Sequence, residues 1–391
     1  MKAISLFSGA GGLDQGLIRA GFDIIFANDY DKNACETYSK NIRDHIKHGD
    51  IDIFKEELFK FKGKIDLIAG GPPCQGFSVA GKMNPDDPRS KHVWTFAELV
   101  SKIQPKAFIM ENVKALGTLQ KWAPLRKSLI KKFRAAGYAT NFVVLNSSEF
   151  NVPQNRYRVF FIGFKTNSVL VPDLKQMLES YKKEAQTVRE AIAILDKAGT
   201  GNNMGVCKAK ITLTSKPVMR KSPYAGMLFN GAGRPTRLDG YSATLPASMG
   251  GNKTPIIDEL ELYNHAKSWV EEYHNGLMKG KEPSKYTEAP KRLRRLTYQE
   301  AAIIQTFPIN YDWQGSQSSI FKQIGNAVPC NLGYRVGKMI MDCLLQDEVD
   351  KHMITLPYQL EFANGHFNME YKNILLSDLK ISPYLGKNCY Q

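Results

Sequence analysis

Four side chains in this sequence combine reactive chemistry with a constrained setting. Cys74 follows Gly70-Gly71-Pro72-Pro73, where two glycines and two prolines fix the backbone and hold the next thiol in one place. A cysteine on so rigid an elbow is a candidate nucleophile, although the ordinary use of a free cysteine is as a small buried hydrophobe. Glu111 opens Glu111-Asn112-Val113 at the end of the next apolar run. A carboxylic acid there could hydrogen-bond a ring nitrogen of a base and make the ring electrophilic; a solvated, helix-capping glutamate is the plainer alternative. Val152-Pro153-Gln154-Asn155-Arg156-Tyr157-Arg158 leads into a further apolar run. Alternation along a strand puts Arg156 and Arg158 on one face, where two guanidinium groups could grip a carbonyl oxygen and a phosphate.

A second constellation lies at the N-terminus. Phe7-Ser8-Gly9-Ala10-Gly11-Gly12-Leu13 follows the first apolar run, and its glycines allow a sharp turn and a close approach to a ligand. The second apolar run ends at Asn28-Asp29-Tyr30, and a carboxylate there is placed to accept hydrogen bonds from both hydroxyls of a ribose. A nucleoside-containing cofactor is implied, with an ordinary tight turn as the alternative. A dinucleotide fingerprint would need a third glycine where Asp14 stands, which argues against NAD or FAD. Gly49-Asp50-Ile51 could offer a carboxylate to an adenine amino group, or be a surface turn.

These residues need elements to position them. Short apolar runs predict strands over 3–7, 24–28, 65–69, 107–110, 141–145 and 159–164, alternating with amphipathic stretches. Leu125, Leu129, Ile130 and Phe133 recur at helical spacing, and Gly137 ends that helix. The expected fold class is α/β, a doubly wound, mostly parallel sheet of Rossmann-like type with ligands at the carboxyl ends of its strands. Beyond Lys165 the sequence turns polar and is punctuated by Gly and Pro. From Gly201 to Leu238 it has no Asp or Glu, while Lys208, Lys210, Lys216, Arg220, Lys221, Arg234 and Arg237 are present. That suits a surface laid against phosphates, or a flexible basic loop. Regular patterning returns near Arg294, with helices predicted over 298–306 and 332–345.

The chain has 391 residues and a formal charge of +15, enough for one large core and a second smaller one, with a field that draws polyanions. No stretch reads as a signal peptide or a membrane span. Its six cysteines form no CxxC pair, so neither a zinc site nor a disulfide framework is suggested, and a reducing cytoplasm fits.

Taken together, Phe7 to Gly12, Pro72-Pro73-Cys74-Gln75, Glu111-Asn112-Val113, Gln154 to Arg158, Arg294 to Thr297 with Gln305 to Pro308, and Gln323 to Pro329 resemble, in order, the motifs of the bacterial and phage DNA cytosine-5 methyltransferases. The likeness covers roughly 1–165 and 292–345. It implies S-adenosyl-L-methionine as methyl donor, no metal, and duplex DNA as substrate, with the target base turned out of the helix. It assigns catalysis to Cys74, Glu111, Arg156 and Arg158. Phe7, Gly9, Gly11 and Leu13 go to the methionine end of the cofactor, Asp29 and Tyr30 to ribose and adenine, Asp50 and Ile51 to the adenine edge, and Pro73 and Asn326 also to the cofactor pocket. Gln75, Ser78, Asn112, Gln154 and Thr244 are assigned to the DNA, Thr244 within the short Thr-Leu element Ser242-Ala243-Thr244-Leu245. The implied organisation is a catalytic and cofactor-binding domain over 1–165, a target-recognition domain over 166–291, a return segment over 292–345 that completes the catalytic domain, and an extension of unread role over 346–391. A cytoplasmic monomer, working beside a restriction endonuclease or as a phage-borne protective methylase, is expected. A transfer RNA methyltransferase, a catalytically silent DNA-binding relative and a nicotinamide oxidoreductase are the rival readings.

Overall fold

The computed structural model describes residues 1–73, 91–166, 171–284 and 287–346, and the backbone of 353–354. Its centre is a seven-stranded sheet. The strands are β1 (Lys2–Leu6), β2 (Asp23–Asp29), β3 (Ile46–His48), β4 (Leu67–Gly70), β5 (Ala107–Val113) and β6 (Tyr138–Asn146), with the short β7 (Gln154–Asn155) leading into β8 (Tyr157–Lys165). The order across the sheet is β3-β2-β1-β4-β5-β8-β6. β1 to β5 pair in parallel, whereas β8 is antiparallel to both of its neighbours. The order reverses between β1 and β4, so a crevice opens beyond the carboxyl ends of those two strands.

The expected doubly wound α/β fold is therefore present. Only β3 escaped the sequence reading: it has three residues, two of them exposed, and no apolar run to betray it. Alternation divides the sheet between two cores. Ala3, Leu67, Ala69, Ala107 and Ile109 face one side. Ile4, Leu6, Ile68, Phe108 and Met110 face the other. The crossover helices are α1 (Gly12–Arg19), α2 (Lys32–Asn41), α3 (Lys55–Phe59), α4 (Lys91–Ile103), α5 (Lys114–Thr118) and α6 (Ala123–Ala135). As read from the sequence, α6 buries Leu129, Ile130 and Phe133 and gives way to Gly137 at φ 88°.

Further along come β9 (Val171–Pro172), α7 (Leu174–Glu179), α8 (Val188–Ile192), β10 (Leu213–Val218), β11 (Met227–Phe229), β12 (Ser242–Ala243), β13 (Ile256–Asp258), α9 (Glu259–Asn264), α10 (Trp269–Met278) and β14 (Leu293–Arg295). The chain then forms α11 (Tyr298–Ile304), α12 (Gln317–Asn326) and α13 (Cys330–Gln346), and β15 (Met353–Ile354) pairs with β9. α13 packs on α1 so closely that a Cβ on Gly16 would lie 2.3 Å from Tyr334 N. The return of the chain thus completes the first core, to which Leu332, Val336 and Ile340 belong. Leu213, Leu228, Phe229, Ile256, Val270, Tyr273 and Leu293 build a small core of their own. A third core joins Val188, Leu245 and Ile257 to Leu296, Ile304, Phe321 and Ile324, so the middle of the chain and its return are packed together.

Candidate active site

Both constellations lie at the carboxyl end of the sheet. At one, β1 stops at Leu6 because Phe7 turns into the left-handed region at φ 56°. Gly9 and Gly11 follow at φ 55° and 86°, and Gly11 caps α1. A Cβ built on Gly9 would meet nothing within 4 Å, so one side of this turn is open. Asp29 lies across from it: its Oδ2 accepts from Gly9 N over 2.7 Å and its Oδ1 from Asp31 N over 2.8 Å. Burial raises its pKa against the pull of those N–H donors. Each oxygen keeps a further lone pair, as a vicinal diol requires.

Tyr30 stands 76% exposed beside it, an open aromatic face. Asp50 spends one oxygen capping the turn at Asp52 N, 2.9 Å away. The side chains of Ile51 and Leu13 are buried in the cores, so any contact they make with a ligand is through the main chain. Asn326 ends α12 with its side chain exposed. Phe7 has a neighbour that sequence reasoning missed, the His92 ring at 5.4 Å. An open glycine turn, a buried carboxylate with unused lone pairs and an exposed aromatic ring suit the nucleoside and amino-acid ends of S-adenosylmethionine. Among the described residues no group of three or more His, Cys, Asp or Glu side chains could hold a metal ion.

At the other constellation, Gly71 sits so close to Glu111 that a Cβ there would lie 3.0 Å from Oε2. Asn112 Nδ2 donates to Pro72 O over 3.1 Å, and its Oδ1 accepts from Val113 N over 2.9 Å. The main chain leading to Cys74 is therefore tied to the strand end that carries Glu111. Cys74, Gln75 and Ser78 themselves lie outside the described residues. Glu111 is 8% exposed, and Arg158 Nε reaches its Oε1 at 2.9 Å. Val113 stands opposite Arg158 in the β5–β8 ladder, which places Glu111 on the adjacent diagonal. Burial raises the Glu111 pKa, while the charges of Arg158 and then Arg156 oppose it. A carboxyl held in that balance can carry a proton and release it.

The expectation that Arg156 and Arg158 act side by side on a substrate needs correction. Strand pairing breaks between β7 and β8 at Arg156, whose guanidinium is fully buried. It donates to Leu245 O at 3.1 Å, Gly325 O at 2.8 Å and Ala327 O at 3.0 Å. Its guanidinium thereby ties three stretches of chain together, while its charge still acts on Glu111. Gln154 is equally enclosed: it donates to Gln305 Oε1 over 3.1 Å and accepts from Leu245 N over 3.1 Å, so the expected contact with DNA is replaced by contacts within the protein. Gln305 extends this buried hub to Ile324 O at 2.7 Å. Thr244 remains exposed beside Arg158's strand, its hydroxyl on Asn155 O at 2.9 Å, because β12 pairs with β7. All seven cations of the acid-free stretch are exposed.

Known proteins place these features in context. The family model for C-5 cytosine-specific DNA methylases matches residues 1–342. The Type II methyltransferase M.FnuDI of Fusobacterium nucleatum is 34% identical over 359 residues, covering 90% of this chain and 98% of its own. M.NgoPII of Neisseria gonorrhoeae is 30% identical over 364 residues, covering 88% and 96%. In fold, the chain resembles the Dnmt2 methyltransferase of S. pombe, with a TM-score of 0.62 at 19% identity over 88% of this chain and 99% of that one. With the glycine turn and Asp29 at one end of the crevice and Glu111 with Arg158 at the other, this chain belongs to the C-5 cytosine-specific DNA methylases.

Proposed function

We propose that the protein transfers a methyl group to carbon 5 of a cytosine turned out of duplex DNA within one short sequence, through a covalent bond to Cys74. The observation that carries this is the buried Glu111–Arg158 pair, set beside the Pro72 main chain, two residues before Cys74 in the sequence. Carbon 5 of cytosine is a poor nucleophile, so the ring must first be activated. The Cys74 thiolate adds to carbon 6 while Glu111 passes a proton to N3, which leaves electron density at carbon 5. Bound S-adenosylmethionine supplies the methyl group that carbon 5 takes. Loss of the carbon 5 proton to solvent then leaves its electron pair to form the carbon 5–carbon 6 double bond, which expels Cys74 as thiolate, and N3 returns its proton to Glu111. Arg158 spends two of its five N–H groups on Glu111 and Tyr157 O, and the others hold the cytosine carbonyl oxygen. Asp29 holds the ribose of the cofactor and Tyr30 faces its adenine, while Asp50, the main chain of Ile51, Pro73 and Asn326 close the pocket.

The middle of the chain, about 166–291, chooses the DNA sequence, with Thr244 on the phosphate beside the target and the exposed cations between 201 and 238 along the backbone. The return segment over 292–345 completes the catalytic unit. Curated relatives that carry the Type II name support pairing with a restriction endonuclease. The protein acts as a cytoplasmic monomer.

Duplex DNA with 5-fluorocytosine at the target tests the chemistry, since fluorine cannot leave carbon 5 as a proton does. The full-length chain should be trapped covalently in the presence of S-adenosylmethionine, and Cys74→Ala should form no adduct. Comparable methylation by that variant would dismiss the proposed nucleophile.

A further inference from the structure

Beneath the glycine turn lies a carboxyl group that this chemistry does not use. Asp14 follows Leu13 in the first turn of α1 and is 0% exposed. Ser5 Oγ of β1 donates to its Oδ1 over 2.6 Å, and the Tyr38 hydroxyl of α2 donates to its Oδ2 over 2.8 Å. Ser8 Oγ donates in turn to Ser5 Oγ over 2.8 Å, so a chain of hydroxyls runs from the turn to the carboxyl. Among the described residues no ion pair reaches Asp14. A carboxylate buried with hydroxyl donors alone is costly. Burial pushes its pKa up to about 6, with Ser5 and Tyr38 pulling down and the charge of Asp29 pushing up.

The groups that face it offer no countercharge. From β2 comes Asp29, from the return segment Tyr311, and from α13 Cys330. Arg19, at the far end of α1, acts on Cys330. Arg43 acts on Tyr38. His45 Nε2 lies 3.4 Å from the Tyr38 hydroxyl, and burial lowers its pKa. A neutral His45 can accept the Tyr38 hydroxyl when Asp14 takes up a proton, so both protonation states have a hydrogen-bonded arrangement.

The methyl donor carries a sulfonium charge that its thioether by-product lacks, while the two share every other group. We propose that Asp14 is the residue through which this chain distinguishes the cationic donor from its neutral by-product, an inference that rests on the methyl-donor site proposed above. Ionised Asp14 adds negative potential beneath the turn and favours the cation. Protonated Asp14 treats the two alike.

Calorimetric titration of the full-length chain with S-adenosylmethionine and with S-adenosylhomocysteine between pH 5 and 7.5 tests this. The ratio of their affinities should rise about five- to tenfold across a midpoint near 6, the effect of one screened buried charge. Near that pH the donor should release more protons on binding than the by-product does, a difference in which Asp29, contacting both alike, cancels. Asp14→Asn should flatten the ratio. Tyr38→Phe keeps the carboxyl but removes a donor to it, and should move the midpoint upward. It decides the matter even if Asp14→Asn fails to fold. A flat ratio in the native chain, a pH-dependent ratio that survives Asp14→Asn, or an unmoved midpoint in Tyr38→Phe would each overturn the proposal. Failure of the native chain to bind either compound would instead remove the methyl-donor site beneath it.

Discussion

Arg158 Nε lies 2.9 Å from Glu111 Oε1, and the two side chains are only 15% and 11% exposed. In so dry a setting the guanidinium fixes where the carboxyl points, while burial keeps it able to hold a proton. Glu111→Gln preserves an N–H donor and the shape but cannot pass a proton to the ring. Single-turnover methylation should fall by about 10²- to 10⁴-fold while DNA affinity changes by less than about threefold. A variant that kept its rate would make Glu111 a structural residue.

The two arginines of the Gln154–Arg158 stretch should separate cleanly. Arg156→Ala strips a buried cation from three carbonyl oxygens and should cost about 3 to 5 kcal/mol of stability, visible as a lowered Tm. Arg158→Ala should leave Tm within a few degrees but abolish most turnover, because it frees Glu111 and removes the grip on the base. Equal thermal losses in both variants would refute this division.

That division was not legible in the sequence. Alternation put Arg156 and Arg158 on one face, and the regular strand carries Arg158 to a position diagonal to Glu111. It failed for Arg156 because the strand breaks there, and what decides its direction is a set of carbonyls 89 to 171 residues away. Asp29 stands at the end of β2, where the apolar run before it put it, and the six longer strands of the sheet were legible because their apolar runs are unmistakable. Asp14 was read only as a missing glycine. A charged residue one turn before Leu17 on a helix face that is otherwise buried was the signal, and its meaning depended on Ser5 and Tyr38, which no local pattern connects to it.

Asp29→Ala should weaken S-adenosylmethionine binding by about 1.5 to 3 kcal/mol, the value of a charge-assisted hydrogen-bonded pair. It also leaves Gly9 N and Asp31 N without their acceptor, so the turn should loosen. Calorimetry reads the first effect. Unchanged affinity would place the ribose elsewhere.

Asp14 should leave a mark on folding as well as on binding. Its folded pKa of about 6 lies above the ordinary 3.8, so between those values the folded chain holds more protons than the unfolded one. Stability therefore falls as pH rises from about 4 to 6, and about 3 kcal/mol is lost in full above that range. Asp29 and Glu111 are raised too and contribute with the same sign, so the informative quantity is the difference between native chain and Asp14→Asn. Denaturant melts should show the variant gaining relative stability from pH 4 to 6 and holding a constant margin above. A pH-independent difference would mean that Asp14 stays charged when folded.

The last prediction concerns exchange of the sequence-choosing segment. β12 pairs with β7, Leu245 bonds Gln154 and Arg156 through both its N–H and its carbonyl, and Leu245 shares a core with Leu296 and Ile324. The Ser242–Leu245 stretch is thus built into the Gln154–Arg156 hub, although it lies within 166–291, the segment proposed to choose the sequence. By contrast, the small core around Leu228, Phe229 and Tyr273 draws only on residues between 211 and 293, and the exposed cations from Lys208 to Arg237 lie largely along the same stretch. A related enzyme's segment grafted over 166–291 should transfer that enzyme's sequence context only if its own counterpart of Ser242–Leu245 keeps the main-chain pairing with Gln154–Asn155. Breaking the neighbouring contact by Leu245→Pro, which removes the N–H that the Gln154 side chain accepts, should cost activity on every sequence alike. Mapping 5-methylcytosine across the genome of a host without cytosine methylation reads both outcomes. One short context should appear for the native chain and a different one for the graft, while Lys216→Ala or Lys221→Ala should weaken DNA binding without changing the context. Methylation scattered over unrelated contexts, or found only in RNA, would remove the recognising role from this segment and favour a transfer RNA substrate.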